Sequence, residues 1–77
     1  MRIKPYSHRQ VVGTLSKLGF RVVRQRGSHI ILKGSYKGMD RTVVVPRHRE
    51  IAVGTLRSIL FQAGITVEEF ITLTEKS

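Results

Sequence analysis

The fold is decided by a stretch in which two short apolar runs flank a basic turn: Val22-Val23-Arg24-Gln25-Arg26-Gly27-Ser28-His29-Ile30-Ile31-Leu32. Two such runs on either side of a glycine-containing turn are typical of a β-hairpin. Gly27 tolerates the positive φ that these turns need, and Ser28 can hydrogen-bond to its own backbone. Because side chains alternate along a strand, His29 and Lys33 face away from the core if Ile30 faces it.

Charge is the strongest signal in the composition. Fourteen Lys and Arg residues oppose five Asp and Glu residues, which gives a net charge of +9, and none of the acids precedes Asp40. An uncompensated positive field favours a polyanionic partner, of which nucleic acid is the first candidate. An anionic membrane surface and an acidic protein are the alternatives that charge alone leaves open.

The chain is short and contains no cysteine. Its 77 residues suit one small domain, which we expect to span residues 1–77. Without cysteine there is no disulfide and no cysteine-based metal site, a composition that fits a reducing cytoplasm. The uninterrupted apolar runs, such as residues 30–32 and 43–45, are far too short to cross a bilayer, so we expect a cytoplasmic protein with no membrane partner.

Periodicity and capping residues predict three helices and three strands. Ser7 and Gln10 have the spacing of a capping box, and the apolar stripe that follows it ends at Gly19. β-branched residues before Pro46 predict a third strand after the hairpin, and Thr66 opens a last helix with the same capping pattern. The predicted elements are a helix over 8–18, strands over 21–25, 29–33 and 41–45 with a turn at 34–38, a helix over 53–63 and a short helix from residue 66.

The order α-β-β-β-α, followed by a short extra helix, predicts a two-layer α+β domain. Three consecutive strands with tight turns favour a three-stranded antiparallel sheet with the helices on one face. The opposite face is then free for solvent or a ligand. Phe20 is predicted to lie in the core, whereas Tyr36 suits either the core or stacking on an RNA base.

Three motifs follow one another along the chain. They are Arg24-Gln25-Arg26-Gly27-Ser28-His29, Thr42-Val43-Val44-Val45-Pro46, and Gly54-Thr55-Leu56-Arg57-Ser58-Ile59-Leu60 with Gln62-Ala63-Gly64-Ile65 close behind it. In this order and spacing they resemble the HicA toxins of bacterial and archaeal toxin–antitoxin systems, also called the YcfA-like family. The resemblance covers nearly the whole chain, from Ser7 to Ile65. One departure is Ala52, where many members of the family have a proline.

The resemblance implies a fold similar to the double-stranded RNA-binding domain and a toxin that cleaves messenger RNA independently of the ribosome. It implies that the histidine of the Gly-Ser-His motif, here His29, is essential. It also implies a cognate antitoxin of the HicB type that covers the active face. Alanine in place of the proline at position 52 should cost some pre-organisation of the second helix. The role of the segment after Ile65 is left open by the resemblance.

The residues themselves suit RNA cleavage without a metal or a cofactor. RNA supplies its own nucleophile, the 2′-hydroxyl, so the protein must remove that proton, stabilise charge on the phosphate and protonate the leaving 5′-oxygen. Imidazole groups suit proton transfer near neutral pH, and arginine and lysine suit phosphate. We predict His29 as the catalytic acid or base, and leave its counterpart open between His48, another side chain and water. The residues predicted to bind RNA are Arg24, Arg26, Gly27, Ser28, Lys33, Lys37, Arg41, Arg47, His48 and Arg49.

Two other functions fit parts of this pattern. A non-catalytic RNA-binding module of the same fold would have the same positive charge, and only His29 separates it from a nuclease. Such a module is expected to place lysines at the start of the second helix, where this chain has Thr55 and Arg57. The third hypothesis is an interaction protein whose basic face meets only an acidic partner. The three histidines are not spaced as metal ligands, and the positive field repels a cation.

Overall fold

The computed structural model describes residues 4–75. Residues 1–3 and 76–77, which the single-domain prediction includes, lie outside that part. The elements in chain order are α1 (His8–Lys17), β1 (Arg21–Arg26), β2 (His29–Tyr36), β3 (Met39–Pro46), α2 (Val53–Ala63) and α3 (Val67–Glu75). This order and the single open antiparallel sheet confirm the predicted α+β fold.

Both predicted capping boxes are present. At the start of α1, Ser7 Oγ accepts a hydrogen bond from the Gln10 backbone amide at 3.2 Å, and the Gln10 side chain accepts one from the Ser7 amide at 3.0 Å. At the start of α3, Thr66 and Glu69 form the same reciprocal pair, at 3.0 and 2.9 Å. Each box satisfies two amides that the first turn of a helix leaves without partners. Helix α2 has no such cap, because Ala52 stands at its N-cap position.

The sheet consists of two hairpins in the order β1-β2-β3. Gly27 and Ser28 connect β1 to β2, and only Gly27 has positive φ, the pattern of a type II′ turn. Lys37 and Gly38 connect β2 to β3, and both have positive φ, the pattern of a type I′ turn. The register of β2 with β3 is unbroken, whereas β1 has a bulge at Val23.

The turn predicted over residues 34–38 is wrong in extent. Gly34 is a strand residue, and the turn itself is only Lys37 and Gly38. A Cβ on Gly34 would lie 2.9 Å from the Cα of Phe20, so glycine is required here by the close approach of another backbone and not by a turn. Strands β1, β2 and β3 therefore extend beyond their predicted ends, to Arg26, over 29–36 and over 39–46.

One hydrophobic core lies between the sheet and the helices. Ile30 and Leu32 of β2 are buried in it, and Phe20 is buried as predicted, with Tyr36 partly buried against the same cluster. The alternate β2 residues His29 and Lys33 are exposed on the opposite face. The helices thus cover one face of the sheet and leave the other open, as the sequence pattern predicts. No helix within residues 4–75 is both long and apolar enough to cross a membrane.

Helix α3 packs against α1 and the segment that precedes it. The ring of Phe70 is fully buried and meets Tyr6 edge to face, with centroids 5.1 Å apart. Tyr6 donates a hydrogen bond to Glu75 at 3.0 Å, and Lys4 pairs with the same carboxylate at 3.3 Å. These contacts give the segment after Ile65 a structural role, because α3 covers one end of the core.

Candidate functional site

His29 lies where the first hairpin turn meets the open face of the sheet. It is the first residue of β2 and is exposed. Its cross-strand neighbours are Arg26 on β1 and Pro46 on β3. Among residues 4–75, its imidazole has no hydrogen-bond partner, so both ring nitrogens are available to a ligand.

A basic loop is fastened beside this turn by backbone hydrogen bonds. The Arg47 amide donates to the Ser28 carbonyl at 2.7 Å, which joins the loop to the turn. The His48 amide donates to the Pro46 carbonyl at 2.9 Å, and the His48 carbonyl accepts from the His8 amide at 3.0 Å and faces the His8 ring at 3.1 Å. The candidate site therefore consists of the hairpin turn and this basic loop. The loop contains three of the predicted RNA-binding residues: Arg47, His48 and Arg49.

The register places further cations on the open face. Arg24 lies opposite Ile31, and Arg21 lies opposite Lys33, so both arginines share the face of His29. The bulge at Val23 is the reason that Arg21 is on this face, because one extra residue reverses the alternation of side chains. Arg21 is absent from the predicted set, and simple alternation from Arg24 would have assigned it to the other face.

Two predicted RNA-binding residues are not brought to His29. Lys37 lies in the turn at the other end of the second hairpin, and seven steps along β2 at ~3.3 Å each separate that end from His29 by about 23 Å. Arg41 lies opposite Gly34, five steps from His29, or about 17 Å. Lys37 pairs with Glu69 at 3.0 Å, and Arg41 Nε donates to the Tyr36 carbonyl at 3.0 Å. Both side chains thus have intramolecular partners.

Between these two ends the structure has a basic concavity of about 450 Å³. Its lining includes the open-face residues Arg21 and Lys33, together with Asp40. Arginine and lysine side chains around a concave surface suit a phosphate oxygen. The predicted RNA-binding residue Lys33 therefore lines a basic concavity that lies further along the sheet from His29.

A family model described as the HicA toxin of bacterial toxin–antitoxin systems matches residues 8–65. The chain belongs to the HicA toxin family. Among curated proteins, none matches its sequence. Membership in the HicA family makes the chain a toxin of a toxin–antitoxin system, with an antitoxin as its partner.

The family match covers all the elements that build the candidate site and ends before α3. The HicA-type part of this chain thus contains the hairpin with His29, the basic loop and α2. Within residues 4–75, no three histidine, aspartate or glutamate side chains are grouped so that they could hold a metal ion.

Proposed function

We propose that this HicA-family toxin is an endoribonuclease that cleaves messenger RNA without a metal ion, with His29 as a catalytic acid or base. The proposal rests on one observation above the others. A histidine with both ring nitrogens accessible stands at the edge of an open sheet face, directly beside Arg26 and next to a loop with further cations. We place this activity in the cytoplasm, where messenger RNA is translated.

The reaction that suits these groups is an intramolecular attack by the 2′-hydroxyl of the RNA on the adjacent phosphate. The 2′-oxygen loses its proton to a base and forms a bond to the adjacent phosphorus. The bond from phosphorus to the 5′-oxygen breaks, and an acid protonates that oxygen. The products are a 2′,3′-cyclic phosphate and a 5′-hydroxyl end. A positioned proton-transfer group is typically worth ~10²–10⁴ in rate, and fixed cations stabilise the charge that develops on the phosphate.

Binding of the RNA backbone is assigned to the cations around His29. Arg26 is its direct cross-strand neighbour, and Arg24 and Lys33 lie further along the same face. The turn of Gly27 and Ser28 adds backbone amides at the edge of this surface. We assign Lys37 to a longer RNA segment, because its end of the hairpin lies far from His29. Arg41 lies opposite Gly34, on the side of the helices, with its guanidinium beside Gly64.

His48 is the nearest candidate in the sequence for the second proton-transfer group. Its backbone is fixed between Pro46 and His8, and its side chain is exposed. We assign it to phosphate contact, so His48→Ala should slow cleavage far less than His29→Ala. An equal loss in the two variants would instead make His48 the second catalytic group.

The test is cleavage of a messenger RNA by the purified protein and by His29→Ala, with EDTA present and folding checked by circular dichroism. We expect wild-type cleavage with 5′-hydroxyl ends, and a loss of ~10²-fold or more in the variant. Ser35→Ala is the matched control, because Ser35 lies on β2 and shares the exposed side of His29. Full activity of a folded His29→Ala variant would overturn the assignment of His29. Cleavage that requires a divalent ion would overturn the metal-free mechanism.

RNA binding without cleavage by the wild-type protein would favour the non-catalytic module in place of the nuclease. The antitoxin partner that family membership gives this toxin is proposed to be of the HicB type and to cover the face of His29. A bound antitoxin would prevent RNA from reaching the cations on this face. Addition of the antitoxin should therefore abolish both RNA binding and cleavage.

A further inference from the structure

The two edges of the sheet differ in what covers them. On the β3 side, α2 packs along the strand, and the side chain of Gln62 accepts a hydrogen bond from the Val44 amide at 3.0 Å. On the β1 side, every residue from Arg21 to Arg26 is exposed. No strand within residues 4–75 pairs with the outer edge of β1. Such an edge presents unpaired backbone groups to which another strand can add.

The two sides of this edge have different chemistry. Arg21, Arg24 and Arg26 lie on the open face of the sheet. Val22 and Gln25 lie opposite the core-facing residues of β2, so they face the side of α1. A strand added to β1 would therefore meet three cations of β1 on one side and its uncharged Val22 and Gln25 on the other, with Arg9 and Arg47 at the border of that second side.

On the α1 side the edge borders an apolar groove. This groove of about 360 Å³ lies between α1 and β1. Val12, Gly13, Val22 and Ile30 form its apolar part, and His8, Arg9, Gln25 and Arg47 complete its lining. Apart from its chain neighbours and its own helix backbone, no heavy atom lies within 4 Å of the position that a Cβ of Gly13 would take, so the groove is open above the helix. Val22, at 45% exposure, is one of the large apolar side chains that the described chain leaves in contact with water.

We infer that the outer edge of β1 is the docking site for an extended segment of a protein partner in which acidic residues alternate with aliphatic ones. The acidic side chains would lie beside the arginine row, and the aliphatic side chains would enter the groove at Gly13. Main-chain hydrogen bonds would supply affinity, and the alternation would supply specificity. The antitoxin of this toxin family is the partner, and the inference rests on that family membership and not on the ribonuclease mechanism.

Charge and side-chain chemistry favour this segment over a second copy of the chain and over RNA. A second copy of the chain would bring two arginine rows together, and like charges opposite each other destabilise a sheet. RNA would satisfy the cations but has no peptide groups for the strand edge and no aliphatic side chain for the groove. An acidic segment on β1 would also neutralise Arg24 and Arg26, which we assign to RNA. Inhibition of the toxin would then follow from strand pairing.

The backbone gives a direct reporter for this pairing. In a hairpin with a two-residue turn, the closing pair is hydrogen-bonded, so Arg26 points its amide at His29. The next residue, Gln25, then points its amide outward, away from β2. An added strand should slow hydrogen exchange at the Gln25 amide, whereas a ligand that binds only side chains should not.

The experiment titrates the full chain, labelled for NMR, with a blocked eight-residue peptide of alternating glutamate and valine. The first control peptide has the same composition in two blocks, and the second has the alternating sequence with every second amide methylated. We expect the alternating peptide to bind at least tenfold more tightly than either control and to protect Gln25. Equal binding of all three peptides would overturn the proposal, as would shifts confined to the exposed apolar residues Phe61 and Met39.

Protein variants test the two sides of the edge separately. Arg24→Glu should weaken the peptide at least tenfold, whereas Arg57→Glu, with the same change in net charge on α2, should not. Gly13→Leu should fill the groove and weaken binding, whereas Gly13→Ala should leave room for the peptide. Loss of binding in both members of either pair would overturn the proposal. These readouts do not require RNA cleavage, so the docking site and the nuclease stand or fall independently.

Discussion

The two hairpins share β2 but have opposite characters. The second hairpin has an unbroken register, and its turn is held by the pair of Lys37 with Glu69 and by the Arg41 bond to the Tyr36 carbonyl. The first has a bulge, and its outer strand is exposed at every residue. This exposed hairpin contains His29. The hairpin with the regular register lies on the β3 side of β2, and the exposed hairpin with the candidate site lies on its β1 side. Regular packing and the candidate chemistry are therefore separated on the two sides of one strand.

The largest expected effect on stability comes from the second hairpin. Gly34→Ala places a Cβ 2.9 Å from the Phe20 backbone, and overpacking of this kind costs about 3 kcal/mol. In the first hairpin, Gly27→Ala meets no neighbouring atom and carries only the strain of positive φ, about 1 kcal/mol. Urea denaturation of both variants measures the two free energies of unfolding. Equal losses would contradict the difference between the hairpins.

For RNA affinity, substitutions around His29 should have larger effects than substitutions in the turn of the second hairpin. The double charge reversal of Arg26 and Lys33 to glutamate should weaken RNA binding about tenfold or more and flatten its dependence on salt, because each lost phosphate contact lowers the slope. Lys37→Ala should have a much smaller effect, since Lys37 already pairs with Glu69. Affinities over a range of salt concentrations test both variants. A steeper loss for Lys37→Ala would move the RNA-binding face to the second hairpin.

Acid should loosen the second hairpin from α3. The Thr66 amide and Lys37 hold the pKa of Glu69 at about 2, below its ordinary value of 4.5. A carboxylate with a lowered folded pKa contributes stability above its unfolded pKa, and the contribution is lost as pH falls from about 4.5 to about 2. Glu69→Gln should remove that part of the pH dependence of Tm. An identical acid profile in the variant would show that the pair contributes nothing.

The smallest effect concerns the end of the loop beside the first hairpin. Ala52 has φ of −58°, which is the value that proline fixes. Ala52→Pro should therefore stabilise the fold by about 0.5 kcal/mol through a less flexible unfolded chain. Thermal unfolding of the variant measures this gain. A lower Tm would show that the loop needs the freedom that alanine gives it.

The sequence predicts the parts of this fold that depend on local signals. Capping boxes place the starts of α1 and α3, and the bounds predicted for α2 are those observed. The extents of the strands are less well predicted, because the reason for Gly34 is the backbone of Phe20, which no local pattern reveals.

The candidate site could be predicted only in part, because some of its features also depend on contacts that no local sequence pattern reveals. Alternation along β2 places His29 on the open face, as observed. The bulge that brings Arg21 to this face and the bond from the Arg47 amide to Ser28 both depend on tertiary structure. The catalytic and RNA-binding assignments themselves remain predictions for the experiments above.

The contacts of α3 have a consequence for how the chain folds. Tyr6 and Glu75 are 69 positions apart, and Thr14 and Thr74, whose hydroxyls hydrogen-bond, are 60 apart. Each hairpin needs only a two-residue turn and forms in ~1–10 μs, whereas bringing α3 to α1 requires closing a loop of most of the chain. We therefore expect the two hairpins to form early and α3 to dock late. The same helix should be the first to open transiently in the native state, exposing Tyr6 and Phe70 while the open face of the sheet stays assembled.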